Sequence, residues 1–243
     1  MPAFTLKNSK PGEDFILWNE EMSRTYNQEE YYEKSNFAII WIEKKRLAAI
    51  SSLIKNHLEQ ANLTDPTILE VGCGTGQVLE EIAHKIKTKN LIGIDPLEHW
   101  LKKAKEKLNG KAKLMKGFGE DLPFENNSID YIVCTEVLEH VIDPKVVLME
   151  FNRVLKKEGL IIISIPNEKL INNLKELINS FKLYNKLFPN IQKDNDWHIH
   201  DFDLKLLNHY IPDKLEILPP IHFIPHYFTP LRYVIALRKK TAN

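Results

Sequence analysis

Ile68-Leu69-Glu70-Val71-Gly72-Cys73-Gly74-Thr75-Gly76 is an apolar run that ends in three glycines at alternate positions. Behind it Val78, Leu79, Ile82, Ala83 and Ile86 recur at the spacing of a buried helix face. The stretch reads as strand, glycine loop, helix. Glycine tolerates φ > 0 and lets a ligand approach the backbone. The helix behind it presents unpaired N–H groups and the positive end of its dipole. In open α/β sheets, a loop of this kind at the carboxyl end of a strand is where nucleotide-like ligands bind.

Outward from this stretch the alternation continues. Strands are predicted at 67–71, 91–94, 112–115, 131–134 and 160–165. Leu97, Leu101, Ala104 and Leu108 mark one intervening helix, and Val147, Leu148, Phe151, Val154 and Leu155 another. The latter begins at Asp143-Pro144, an N-cap acid followed by proline at the first helical position, and Gly159 is expected to end it. Strands alternating with helices indicate βαβ units, and apolar runs without period-two alternation fit strands buried on both faces. The expected class is α/β, with a mostly parallel sheet and helices on both faces. After Pro166, Leu170, Leu174, Leu177, Ile178 and Phe181 suggest a helix, 190–203 is polar and aromatic, and Leu204, Leu207 and Tyr210 give a short helix. Two last strands are expected at 215–218 and 233–237, joined by a connection holding Pro219, Pro220, Pro225 and Pro230. Upstream, Phe15, Trp18, Met22 and Tyr26 form one helical stripe. Ile40, Leu47, Ile54 and Ala61 form a second, with Phe37, Trp41 and Leu58 beside it. The expected division is a helical cap at 1–62 and an α/β domain at 63–243 that carries a lid insert at about 167–203.

Composition narrows the function. The 243 residues are 43% hydrophobic and 27% charged, the balance of a globular chain. Lys plus Arg and Asp plus Glu are both 33, so the basic excess usual for a dedicated nucleic-acid binder is missing. Lys102-Lys103 and Lys105 read as a solvated helix face. Cys73 and Cys134 form neither a disulfide framework nor a metal-type pair, which suits a reducing compartment. No apolar run reaches the roughly 20 residues of a membrane span, and the first ten residues hold no apolar signal core. A cytoplasmic protein is expected, monomeric or homodimeric, with surface association to a membrane left open.

Asp95 ends the strand at 91–94, about twenty residues after the glycine loop, where a ribose-binding carboxylate is expected. Alone it reads as a helix N-cap; paired with the loop it reads as a ribose ligand. The G-x-G-x-G spacing is not the G-x-G-x-x-G of dinucleotide binders, and no Lys-Ser/Thr pair marks a phosphate loop. A nucleoside-like cofactor without phosphates fits.

These residues resemble the first motif of class I S-adenosylmethionine-dependent methyltransferases. The likeness continues through Asp95, Leu122-Pro123-Phe124, Ser128-Ile129-Asp130 and Glu136-Val137-Leu138-Glu139-His140-Val141. It runs on through Arg153-Val154-Leu155-Lys156-Lys157-Glu158-Gly159 to Ile165-Pro166-Asn167. The order looks most like the small-molecule branch that includes ubiquinone-biosynthesis O-methyltransferases. The resemblance implies a Rossmann-like methyltransferase fold with a seven-stranded sheet and a closing β-hairpin. It also implies S-adenosylmethionine as cofactor. On these residues it places the methionine moiety along Gly72, Cys73, Gly74 and Gly76, with Glu70 steadying the loop or meeting the amino group. Asp95, beside Pro96, takes the ribose. Phe118, Gly119, Glu120 and Asp121 line the adenine, with Thr135 nearby. Relatives often carry Asp or Asn where this chain has Phe118. Backbone groups near Glu120, or its side chain, then take over the adenine contact, unless Glu120 and Asp121 form a solvated turn.

Methyl transfer to a hydroxyl needs alignment with the sulfonium and a base or metal for the proton. Glu136, Glu139 and His140 form an E-x-x-E-H cluster that helical spacing would put on one face, and His198 and His200 lie downstream. His140, His198 and His200, with Glu136, are the catalytic candidates. No metal is expected; the alternative is a metal-assisted RNA 2′-O-methyltransferase with Glu136, Glu139, His140 and His200 as ligands. Trp18, Tyr26, Tyr31, Tyr32, Phe37 and Trp41 supply aromatics for a substrate lid, with Phe181, Tyr184, Phe188 and Trp197 from the insert. His222, Phe223, His226, Tyr227 and Phe228 add a third group. The expected activity is methyl transfer to a small-molecule acceptor at oxygen. The rivals are a nicotinamide oxidoreductase, disfavoured by the loop spacing, and a non-catalytic S-adenosylmethionine-binding protein.

Overall fold

The computed structural model describes residues 4, 6–7, 10–25, 37–180 and 197–241. Its main sheet has seven strands: β1 (Thr67–Val71), β2 (Asn90–Asp95), β3 (Lys113–Lys116), β4 (Ile129–Thr135), β5 (Leu155–Pro166), β6 (Leu215–Ile224) and β7 (Arg232–Lys239). The spatial order is β3-β2-β1-β4-β5-β7-β6. All neighbours among β1–β5 run parallel, and β7 is antiparallel to both β5 and β6. The parallel sheet and the final hairpin are therefore as expected. The order reverses between β1 and β4, and the crevice at their carboxyl ends is where such sheets bind ligands.

Among the described residues the helices are α1 (Glu13–Thr25), α2 (Phe37–Ala61), α3 (Gln77–Lys85), α4 (Glu98–Leu108), α5 (Pro144–Val154), α6 (Glu168–Ser180) and α7 (Leu204–Tyr210). Successive strand residues feed opposite faces of the sheet. Leu69, Ile132 and Cys134 join Val147, Leu148 and Phe151 of α5 in one core. Ile68, Tyr131 and Val133 join Leu79 and Ile82 of α3, Ala104 of α4, and Ile50 and Ile54 of α2 in the other. All seven residues of β4 are buried, as a central strand covered on both sides requires.

Three local expectations need correction. Gly159 does not end a helix: α5 stops at Val154 and Gly159 lies inside β5, where a Cβ would come within 2.6 Å of the Asp130 carbonyl. Pro219 and Pro220 lie within β6 rather than in the connection. A register irregularity between Leu218 and His222 absorbs them, and the edge position of β6 tolerates missing N–H groups. Of the expected heptad on α2 only Ile54 is buried, Ile40 and Leu47 being half-buried and Ala61 exposed; the buried line contains Glu43, Arg46, Ile50 and Ile54, while Phe37 is 82% exposed. Glu43 and Arg46 are buried as a pair with Arg232 of β7. Arg46 Nη2 lies 2.8 Å from Glu43 Oε2, and Arg232 Nη2 lies 3.0 Å from Oε1. Burial pushes the Glu43 carboxyl up, but the two guanidiniums outweigh it and hold its pKa below the usual range.

Candidate functional site

The glycine loop joins β1 to α3. Gly72, Gly74 and Gly76 all have positive φ, at 73°, 48° and 83°. Gly72 also packs against the segment after β4, where an added Cβ would lie 2.2 Å from Val137 Cγ2. Helix α3 has Gly76 at its N-cap and no side-chain cap. Asp95, 2% exposed, ends β2 and binds the loop directly. Its Oδ2 accepts from Gly74 N at 2.8 Å and its Oδ1 from Leu97 N at 2.9 Å. Asp95 is not the N-cap of α4, which is Leu97 with no side-chain cap; its carboxylate instead ties the glycine loop to the turn before α4. Burial raises its pKa to about 6 against the two backbone hydrogen bonds that lower it. Glu70 is buried behind the loop and accepts a hydrogen bond from the Leu79 backbone, steadying α3. Burial, opposed by Arg46 and assisted by Asp95, raises its pKa well above normal, and its Oε2 meets no donor among the described residues. Burial, with Asp95 and Glu70 nearby, also raises the Cys73 thiol pKa, so Cys73 is a packing neutral thiol.

Along the next strand ends, Phe118 is half-buried while Gly119 and Glu120 are buried. A Cβ on Gly119 would lie 3.1 Å from Val147 and 3.2 Å from Val71. Glu120 is 2% exposed, and its Oε1 accepts from Ile142 N at 3.3 Å. The solvated-turn alternative therefore fails for Glu120, although Asp121 is exposed. Burial raises the Glu120 pKa to about 7, against backbone hydrogen bonds that lower it. Pro96 is half-buried beside Asp95, and Thr135 is buried at the end of β4.

After β4 the chain turns instead of forming the helix expected from E-x-x-E-H spacing. Glu136 takes a left-handed conformation at φ 54°, and α5 starts only at Pro144. The cluster accordingly splits. Glu136 Oε1 accepts from Ser164 Oγ at 2.6 Å, and its Oε2 lies 3.2 Å from Arg232 Nη1. Glu139 and His140 point elsewhere and meet His198, with one ligand-type atom from each lying within 4.8 Å of the others. The His140 and His198 rings meet edge to face at 4.7 Å. His140 Nδ1 faces the Trp197 carbonyl at 3.1 Å, and burial, with His198 beside it, depresses its pKa to about 3 despite that bond. Glu139 is 1% exposed; burial, then Glu136, raises its pKa well above normal. His200 is not part of this group: its Nε2 lies 3.0 Å from the Val141 carbonyl, and its ring packs on Phe202 and Tyr210.

Sequence reasoning missed Glu43, Arg46, Ser164, Glu168 and Arg232. Ser164, Glu168 and Arg232 lie far along the chain from their partners, and although Glu43 and Arg46 pair locally, three residues apart, their burial depends on Arg232 of β7. Of the lid aromatics, Trp197 is buried, stacks near Trp100 at 5.5 Å and His140 at 4.8 Å, and donates from Nε1 to Asn19 Oδ1 of α1 at 2.8 Å. Trp18 packs on Phe4 and Phe15, Phe223 packs on Tyr233, and Tyr227 and Phe228 are 70% and 87% exposed. Tyr26, Tyr31, Tyr32, Phe181, Tyr184 and Phe188 lie outside the described residues.

Residues 69–163 match the family model described as a methyltransferase domain. Over 137 residues the chain is 34% identical to a demethylmenaquinone methyltransferase of Staphylococcus aureus, a match that takes in 53% of this chain and 57% of that protein. Two solved structures share the fold. An S-adenosylmethionine-dependent methyltransferase from Methanosarcina mazei aligns at TM-score 0.60 with 23% identity over 78% of this chain and 98% of its own. One from Clostridium acetobutylicum aligns at TM-score 0.57 with 17% identity over 79% and 91%.

Proposed function

We propose that this chain, a member of the class I methyltransferase family across residues 69–163, methylates a small hydroxylated acceptor of the hydroquinone or catechol type. Family membership makes S-adenosylmethionine the cofactor, and the crevice fits it. One observation carries the reading: a glycine loop with no room for a Cβ at Gly72 is bound at its centre by the buried Asp95 carboxylate. Glu70 Oε2, which meets no donor among the described residues, suits the cofactor's amino group, and Asp95 suits its ribose hydroxyls. The uncapped N-terminus of α3 suits its carboxylate. The half-buried Phe118 and the buried Glu120 suit the face and the amino edge of its adenine. S-adenosylmethionine supplies a methyl carried on a sulfonium sulfur, so the protein's task is alignment and proton control.

The depressed basicity of His140 keeps its imidazole neutral. Its Nδ1 faces a carbonyl and so carries the proton, which leaves Nε2 to accept a hydrogen bond from an acceptor hydroxyl. His140 thus orients the nucleophile rather than holding its proton. Trp197, tied to α1 through Asn19, forms part of a lid over this edge. The quinone-type acceptor is suggested by the name of the Staphylococcus relative, of which the chain spans little more than half. The test is calorimetric titration with S-adenosylhomocysteine on the wild type and Asp95→Ala, followed by methyl transfer to a hydroquinone panel with the product's methylated atom assigned by NMR. Absence of S-adenosylhomocysteine binding would overturn the reading, and a C-methylated product would correct the acceptor atom.

A further inference from the structure

Beyond the carboxyl end of β4, Glu139, His140 and His198 each bring one ligand-type atom within 4.8 Å of the others. The methyl-transfer reading uses only His140. Glu139 is 1% exposed, and its Oε2 meets no hydrogen-bond donor among the described residues. Both imidazoles have a polar group at Nδ1: His140 hydrogen-bonds the Trp197 carbonyl at 3.1 Å, and His198 Nδ1 lies 2.5 Å from the Glu168 Oε1 carboxylate oxygen. Carbonyl or carboxylate partners of this kind are what orient histidines that ligate metals.

We propose that Glu139, His140 and His198 bind a divalent transition-metal ion, oriented by Glu168 and the Trp197 carbonyl. Two imidazole nitrogens and one carboxylate oxygen suit zinc, manganese or iron(II) better than magnesium. Ligands about 2.0–2.2 Å from zinc lie within about 4 Å of one another. The three side chains therefore close by roughly an ångström on binding. The donor set differs from the one that E-x-x-E-H spacing suggested: Glu136 is turned to Ser164 and Arg232, and His200 to the Val141 carbonyl. Three protein ligands leave positions open; with the ion bound, His140 Nε2 would be one of those ligands, and the acceptor hydroxyl would be oriented at an open position on the ion instead of on that nitrogen, losing its proton to water more readily. That last role rests on the methyl-transfer reading, whereas the metal site does not.

The test is calorimetric titration of chelator-stripped full-length chain with zinc and, separately, manganese, with metal content confirmed by mass spectrometry. One equivalent of either metal should bind. His198→Gln and Glu139→Gln should each weaken binding at least tenfold, Glu168→Gln about ten- to hundredfold, and His200→Gln should leave it unchanged. No binding by the wild type overturns the proposal, as does equal binding by His198→Gln and Glu139→Gln. Loss in His200→Gln overturns the ligand set. S-adenosylhomocysteine titrated into the same samples reports whether each variant is folded. Failure of that ligand alone, with metal still bound, removes the methyl-transfer reading and leaves the metal site standing.

Discussion

Gly72→Ala tests the contact between the glycine loop and the segment after β4. At φ 73° an L-residue costs about 1–2 kcal/mol. The new methyl would lie 2.2 Å from Val137 Cγ2, far inside the roughly 3.5–4.0 Å of an ordinary carbon contact. Overpacking of that kind costs about 1–3 kcal/mol. The sum is about 2–5 kcal/mol, and at about 2–4 °C per kcal/mol for a chain this long the Tm should fall by about 4–20 °C. The two parts separate in a double-mutant cycle. Val137→Ala removes the opposing methyls but not the backbone penalty, so Gly72→Ala with Val137→Ala should be less destabilised than the sum by about 1–3 kcal/mol. S-adenosylhomocysteine affinity should drop at least tenfold in the single variant and recover in part in the double. Thermal unfolding of the four proteins measures the first effect and calorimetry the second. Additivity within about 0.5 kcal/mol would refute the contact.

Asp95 sets a pH dependence. Its folded pKa of about 6 lies above the reference 3.8, so the folded state holds the proton more tightly. Its contribution to stability is present below about pH 4 and is lost as pH rises through about 6, amounting to about 3 kcal/mol. Cofactor hydroxyls favour the charged carboxylate, so S-adenosylhomocysteine affinity should fall about tenfold per pH unit below 6, and Asp95→Asn should flatten that profile and weaken binding at neutral pH; a wild-type profile flat from pH 7.5 to 5 would remove the role. Glu43→Gln leaves Arg46 and Arg232 without their shared carboxylate and should cost about 3–5 kcal/mol, read by denaturant unfolding. A loss under about 1 kcal/mol would mean that the pairs are not formed. Asn19→Leu strands the buried Trp197 indole N–H and should cost about 1–3 kcal/mol, with a change in tryptophan emission; unchanged emission would detach α1 from this edge.

The elements around the glycine loop were legible because their signals are local. A strand, three glycines and an acid 21 residues beyond the middle glycine can all be read within one βαβ unit. The site beyond β4 was legible only in composition. The E-x-x-E-H spacing implied a helical face, but the left-handed turn at Glu136 sends its carboxylate to Arg232 and leaves Glu139 and His140 on another side. That choice depends on residues remote in sequence: Ser164 is 28 positions away, and Arg232 reaches Glu43 across 189. The face of α2 was misread for the same reason. A heptad count assigns burial to apolar residues, whereas Glu43 and Arg46 are buried because β7 supplies a second guanidinium.

The acids at the carboxyl edge of the sheet show what sets this edge apart. Glu70 and Asp95 stand at the carboxyl ends of β1 and β2, Glu120 and Glu139 just beyond β3 and β4, and burial raises the pKa of every one. A carboxyl group held in this way weakens the fold whenever it is ionised. Glu43, by contrast, is equally buried but its pKa is lowered, because two arginines answer it. Glu43 is therefore a structural acid, answered within the protein, while at the edge Arg46 near Glu70 and Arg232 near Glu139 do not outweigh burial, and backbone hydrogen bonds alone oppose it at Asp95 and Glu120. On the proposed readings a ligand would balance the charge of these four acids, with hydroxyl and amino donors at Glu70 and Asp95, a base edge near Glu120 and a cation at Glu139. Such a site should be stabilised by its ligands more than the contacts alone suggest, since binding both adds interactions and relieves an ionisation penalty already present in the empty fold.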